Sequence, residues 1–299
     1  MNRRAVLFTA LIITCMTAAS EGLREPEVIF PEIAAIATGA LLAPRLVWKV
    51  NKKRIFGYIM LCAVLGMAIV LYCPFTLTIQ MMLAFIVGEI ILLRSDTSFA
   101  PMISAIVLPV MLQTRTPLYL VSAACFTGMI LGLRTILERE GIRPRKSFTD
   151  VPFKMDASFI RRCLVGCIVI FAALQTGLRF MVAPPVLVAF TEFTNPQASA
   201  RKKPVKAVAL IALCAFTGAM LRYGITMTMG LPLTLAAFLG SLLTIFWISR
   251  FEMFLPPAAA IMLLSMLVPE VAVPVFPFMV SGGAALFMAL SILFFHEVK

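Results

Sequence analysis

Three glutamates, Glu32, Glu89 and Glu192, lie inside or at the ends of long apolar runs. A carboxylate is costly to place in hydrocarbon, so an acid in such a run is a candidate for binding a solute or carrying a proton. Glu32 follows Pro31 at the start of an expected helix, where the dipole favours an acid. A helix-start charge near the outer interface accounts for it equally well. Glu89 stands little more than one turn before Arg94, so a snorkelling ion pair between the two is the plain alternative. Glu192 differs, because it falls near the end of its expected helix, where the dipole disfavours an anion. With Thr191, Thr194 and Asn195 it forms a polar cluster in an otherwise apolar segment. Either this cluster faces a polar cavity and binds a solute or a coupling proton, or Glu192 pairs with Arg201, Lys202 or Lys203. Arg24 and Arg179 each close a Gly-Leu-Arg triplet. Two such cations on the outer side either draw in an anion or anchor their helices at the interface. These eight residues are the expected substrate-binding set.

Other chemistry finds no footing. The single histidine, His296, stands beside Glu297 at the C-terminal end, and no Gly-rich phosphate loop occurs. The seven cysteines all fall in or at the ends of apolar segments and read as small packing residues. Cys163 and Cys167 share a helix face but have no histidine nearby for a metal. The nineteen methionines read as gap-fillers between helices. The expectation is no enzyme, no cofactor and no metal.

The elements that must hold those acids follow from composition. With 61% hydrophobic and 13% charged residues, the chain is far more apolar than a soluble domain, which is about half apolar and a quarter charged. Mean hydropathy is +1.01. A net charge of +12 would suggest nucleic acid in a soluble chain. Here the cations fall in short stretches between apolar segments, and with the N-terminus inside, 22 of the 26 lysines and arginines lie on the inner side. That distribution predicts topology and no nucleic acid. Residues 1–20 resemble a signal peptide. However, Arg161-Arg162 opens a similar internal segment that ends Gly177-Leu178-Arg179, as the first ends Gly22-Leu23-Arg24. The first segment is therefore expected to stay as a transmembrane helix.

The apolar runs predict an all-α, polytopic transmembrane bundle of about 12 helices. Their expected spans are near 5–20, 28–43, 55–73, 75–93, 98–112, 117–137, 161–178, 181–195, 205–221, 226–248, 254–268 and 272–295. A basic loop at 45–54 separates the second from the third. Several spans fall short of the ~20 residues of a perpendicular crossing, so some helices are short or re-entrant. Landmarks recur between the halves: Phe99-Ala-Pro101 and Phe254-Leu-Pro256, then Leu61-Cys62 with Gly66 and Leu213-Cys214 with Gly218. They predict two parallel six-helix repeats, 1–137 and 159–299, joined by a cytoplasmic linker at 138–158.

The second half also resembles a family. Asn195-Pro196-Gln197-Ala198 before a basic loop, Gly218, then Pro256-Pro257-Ala258-Ala259 and a last helix from Pro277 to Phe295 look like the HPP family of integral membrane proteins. One departure stands out: the family's His-Pro-Pro is Leu255-Pro256-Pro257 here, so a role carried by that histidine is missing. The basic-led helices in two sixfold sets also look like the fusaric-acid-resistance and aromatic-acid-exporter group. Both resemblances imply a transporter, of small inorganic anions in the first case and aromatic acids in the second.

The expectation is thus a secondary transporter of a small anionic solute. It would sit as a multi-pass protein in a bacterial cytoplasmic (inner) membrane, with both termini cytoplasmic. Its partners are the lipid bilayer and the solute, and a homo-oligomer is compatible with it. A passive channel or a non-transporting membrane scaffold are the alternatives.

Overall fold

The structure is a computed structural model that describes residues 2–44, 46–144 and 157–295. Every regular element among them is helical. In chain order they are α1 (Arg3–Leu23), α2 (Glu32–Ala37), α3 (Lys52–Tyr72), α4 (Leu77–Arg94), α5 (Pro101–Leu112), α6 (Leu118–Arg139) and α7 (Ala157–Gln175). Then come α8 (Pro184–Phe193), α9 (Ser199–Lys202), α10 (Pro204–Leu221), α11 (Leu233–Phe251), α12 (Pro256–Leu264) and α13 (Phe276–Phe294). A π-helical turn, Thr38–Leu42, prolongs α2, and a longer one, Arg222–Thr228, prolongs α10. The expected linker falls largely on 145–156, outside the described residues, as do Arg45 and His296.

Helices of two kinds are present. Eight are long and apolar enough to cross a bilayer: α1, α3, α4, α6, α7, α10, α11 and α13. Only 22–44% of each spanning window is buried. The rest is apolar surface: α7 alone exposes Ile160, Leu164, Ile168 and Phe171 along one stripe. A helix that is apolar on its outer face as well as its inner one belongs in lipid. The short helices invert this pattern. All of α2 with its π turn, all of α12, Pro101–Met111 of α5 and all of α8 except Glu192 are buried. Prolines set where three of them start: Pro101, Pro184-Pro185 and Pro256-Pro257 occupy the first helical turn. An amide lost there has no helical partner to miss. One boundary differs from expectation. The Asn51 Oδ1 accepts the Arg54 amide at 2.8 Å, so Lys52, Lys53 and Arg54 form the first turn of α3 rather than a loop.

Two compact units emerge, with cuts at Val47/Trp48, Arg115/Thr116, Val208/Ala209 and Phe278/Met279. They do not coincide with 1–137 and 159–299, because each takes segments from both halves of the sequence.

The first unit holds α1, α2, α6, α11, α12 and most of α10. Its centre is α2 against α12, and α1 lies along α11. The Ser122 hydroxyl donates to the Val28 carbonyl, and Arg134 Nη1 donates to the Ala40 carbonyl at 2.5 Å. Both pairs are 94 residues apart, so α2 and α6 run side by side in one direction. The twelve residues between cover about 18 Å, well short of a ~30 Å hydrocarbon core. The carbonyls left over at the end of α2 are met by arginines. Arg134 holds Ala40, while Arg143 Nε and Nη2 hold Leu41 at 2.9 and 2.7 Å, and Nη2 also holds Leu42 at 2.9 Å. Burial and then the neighbouring Arg134 push the Arg143 guanidinium below its usual value. Arg222 does the same service past the end of α12, donating to Ser265 at 2.6 Å and Val268 at 2.5 Å. At this same pole, Glu21 caps α11 by accepting the Leu233 and Thr234 amides at 2.6 and 2.9 Å. Gly218 of α10 sits against the Met262 carbonyl and the Ser265 side chain, where a Cβ has no room.

The second unit holds α3, α4, α5, α7, α8, α9 and most of α13. Its centre is α5 against α8, gripped by α3 and α4. Before α5, Ser98 Oγ accepts the Lys49 amide at 2.9 Å, next to the start of α3. At its end Gln113 Nε2 donates to Gln80 Oε1 at 2.8 Å, near the start of α4. The segment therefore traverses the unit from one pole to the other, its short helix extended by irregular chain, and does not turn back. Gly66 of α3 meets the Ile106 carbonyl and the Pro109 ring of α5, again with no space for a Cβ.

Candidate functional site

The polar centre of the second unit lies where α4 and α8 end and α7 begins. Gly88 lets α4 close on Ile103 and Ile106 of α5, and the next residue, Glu89, turns inward and is fully buried. Two groups from other helices hold its carboxylate. Arg162 Nε, in the second turn of α7, donates to Oε2 at 2.9 Å, and the Thr191 hydroxyl of α8 donates to Oε1 at 2.6 Å. One acid thus ties three helices together. The expected partner of Glu89 was Arg94, five residues on along the same helix. The structure replaces it with Arg162, because Glu89 faces the interior whereas Arg94 lies at the end of α4.

Glu192 follows Thr191 and points to a different neighbour. The Trp48 indole approaches its carboxylate. Trp48 is 4% exposed and stands edge-on to Phe99, with centroids 5.0 Å apart. Glu192 Oε1 and Trp48 Nε1 are both buried, and neither has a hydrogen-bond partner. A buried polar atom without a partner costs about 1–3 kcal/mol, and the indole N–H beside the carboxylate is a donor set next to an acceptor. Two of the three basic residues expected to neutralise Glu192 are engaged elsewhere: Arg201 Nη2 donates to the Phe295 carbonyl at 3.1 Å, and Lys202 Nζ to Gln197 Oε1 at 3.0 Å. Burial pushes the Arg201 guanidinium below its usual value. Beneath the cluster, Phe190 stacks on Phe287 at 4.6 Å and lies 6.5 Å from Phe85, an apolar floor that keeps the local dielectric low.

The other expected residues are not drawn into this centre. Thr194 is buried and turns its hydroxyl back onto the Thr191 carbonyl at 2.8 Å. Asn195 is exposed, and its Oδ1 accepts the Gln197 amide at 3.0 Å in a turn. Arg179 is exposed and lies over the Phe180 ring at 4.8 Å, as an interfacial anchor does. Arg24 and Glu32 belong to the first unit. There Arg24 is the exposed left-handed cap of α1, and Glu32 is buried in the first turn of α2. Two members of the centre, Arg162 and Trp48, were not expected. Arg162 reads in sequence as half of a topogenic Arg-Arg pair, and nothing around Trp48 separates it from an ordinary interfacial tryptophan.

Buried helices wrapped by lipid-facing ones, with an ionic cluster held inside, define a multi-pass α-helical membrane protein. Comparison with protein-family models, characterised proteins and solved structures gives no match.

Proposed function

We propose that the chain is a secondary transporter that carries a small anionic solute across a bacterial cytoplasmic membrane, using the polar centre of the second unit. The observation that carries this reading is Glu89: a fully buried carboxylate held by a guanidinium and a hydroxyl from two other helices. Buried ion pairs are weak stabilisers, and apolar residues of similar volume hold helices together as well or better. Inside a membrane bundle such a cluster is therefore best explained by what passes or binds there. Glu192, a carboxylate with a buried oxygen approached by the Trp48 indole, supplies an adjacent group for solute or proton.

The reading extends to the architecture of twelve traverses as two parallel six-helix repeats. Its support is a set of matched close approaches. Gly66 and Gly88 meet Ile106 in one unit, as Gly218 and Gly240 meet Met262 in the other. The partners α3 and α10, α4 and α11, α5 and α12 hold matching places in the two halves of the chain. On this reading the halves exchange their middle three traverses, so that each unit is completed by the other half of the sequence.

Reconstitution tests the function. Purified protein in proteoliposomes is expected to take up small organic or inorganic anions in response to a pH gradient. Glu192→Gln is expected to fold normally and lose that pH dependence. A passive pore would show flux without it. Absence of anion flux under any gradient refutes the transporter, and wild-type flux with unchanged pH dependence in Glu192→Gln removes Glu192 from the mechanism.

A further inference from the structure

We infer that Arg162 is the anion-binding residue of this centre, taking the paired oxygens of a small carboxylate or oxyanion on its two terminal nitrogens while Glu89 holds it by Nε. The inference rests on the transporter reading for its use, but its own ground is how the arginines of the structure are engaged. Arg134, Arg143, Arg161, Arg201 and Arg222 all donate to main-chain carbonyls. Arg162 donates to none. Its one hydrogen-bonded contact among the described residues is through Nε, to Glu89. The end-on edge of its guanidinium, Nη1 and Nη2, is left without a partner among the described residues, and the side chain is 16% exposed, so this edge is reachable.

The arrangement is that of a fixed fork. Glu89 is immobilised by full burial and by Thr191, and it fixes the plane of the guanidinium in turn. A guanidinium held through Nε presents two parallel N–H groups spaced for the two oxygens of a carboxylate or a planar oxyanion. Within the Glu89–Arg162 pair the charge is balanced, one cation against one anion, so an incoming anion brings a net negative charge. Such a site binds reversibly, as a carrier requires, because Glu89 competes for the same cation. The basis for selectivity is planarity and size: two oxygens about 2.2 Å apart on one centre fit the fork, and a bare halide engages it with a single atom.

Purified protein in detergent at low chloride is titrated with acetate, benzoate, nitrate and phosphate, followed by calorimetry and thermal shift, and the same anions are offered to proteoliposomes. Wild type is expected to bind at least one of the planar anions, acetate, benzoate or nitrate. Arg162→Lys keeps the charge but lacks the fork, and is expected to raise Kd and KM about ten-fold, with kcat changed less. Glu89→Gln removes the competing anion and is expected to lower Kd several-fold. A merely structural Arg162 would lower thermal stability in the lysine variant and leave Kd and KM where they were. Should wild type carry an anion while Arg162→Lys keeps the same Kd and KM, Arg162 is not the binding residue and the transporter reading stands. Should wild type neither bind nor carry any anion, both fail.

Discussion

Glu89 and Arg162 form a buried ion pair, and its energetics can be read by a double-mutant cycle with apolar replacements of similar length, Glu89→Leu and Arg162→Met. Glu89→Leu leaves a guanidinium with little access to water, and Arg162→Met leaves a fully buried carboxylate with one hydroxyl donor. Breaking a buried pair on one side costs about 3–5 kcal/mol. Because Arg162 retains some exposure, we take about 3 kcal/mol for each single change. The double variant has no charge to leave unpaired and no new cavity of consequence, so it is expected within about 1 kcal/mol of wild type. The coupling is then about 5 kcal/mol, at the strong end for close charge pairs. In thermal unfolding of the detergent-solubilised protein, at about 2–4 °C per kcal/mol for a chain of this size, each single variant loses about 6–12 °C and the double variant 2–4 °C. The double variant is also expected to lose anion binding while remaining folded. If its loss of stability equals the sum of the two singles, the pair is not an energetic unit and the account of the centre is wrong.

Two further expectations concern the packing and the topology. Gly218→Val places a side chain against the Met262 carbonyl, which has no rotamer to move aside, and is expected to cost more than about 2 kcal/mol. Gly128→Val, on α6 where nothing lies within 4 Å, should unfold close to wild type in the same assay, and equal losses for both would remove the close-approach argument. On a cysteine-free background, single cysteines at Lys53 and Lys202 are expected to react with an impermeant maleimide only when the cytoplasmic face is opened. Labelling of either from outside intact cells would reverse the orientation.

Composition and patterning were enough to reveal a multi-pass helical membrane protein and much of the helix plan. Apolar runs near the thickness of a bilayer can only be helices, because lipid offers no partner for a bare backbone amide. Proline positions likewise marked where α5, α8 and α12 begin, since the cost of a missing amide vanishes only in the first turn. Glu89 and Glu192 were legible as exceptional, because acids in apolar runs demand a reason. Their partners were not. Arg162 is 73 residues from Glu89 and Thr191 is 102, and charge spacing along one helix pointed instead to Arg94. Trp48 precedes Glu192 by nearly half the chain, and its approach to that carboxylate is a fact of packing alone. The grouping of elements was equally hidden. Short-range pattern shows which face of a helix is apolar, but in a membrane almost every face is. Only the close approaches at small residues and the carbonyls claimed by arginines decide which helices meet, and those depend on three-dimensional fit between segments far apart in the chain.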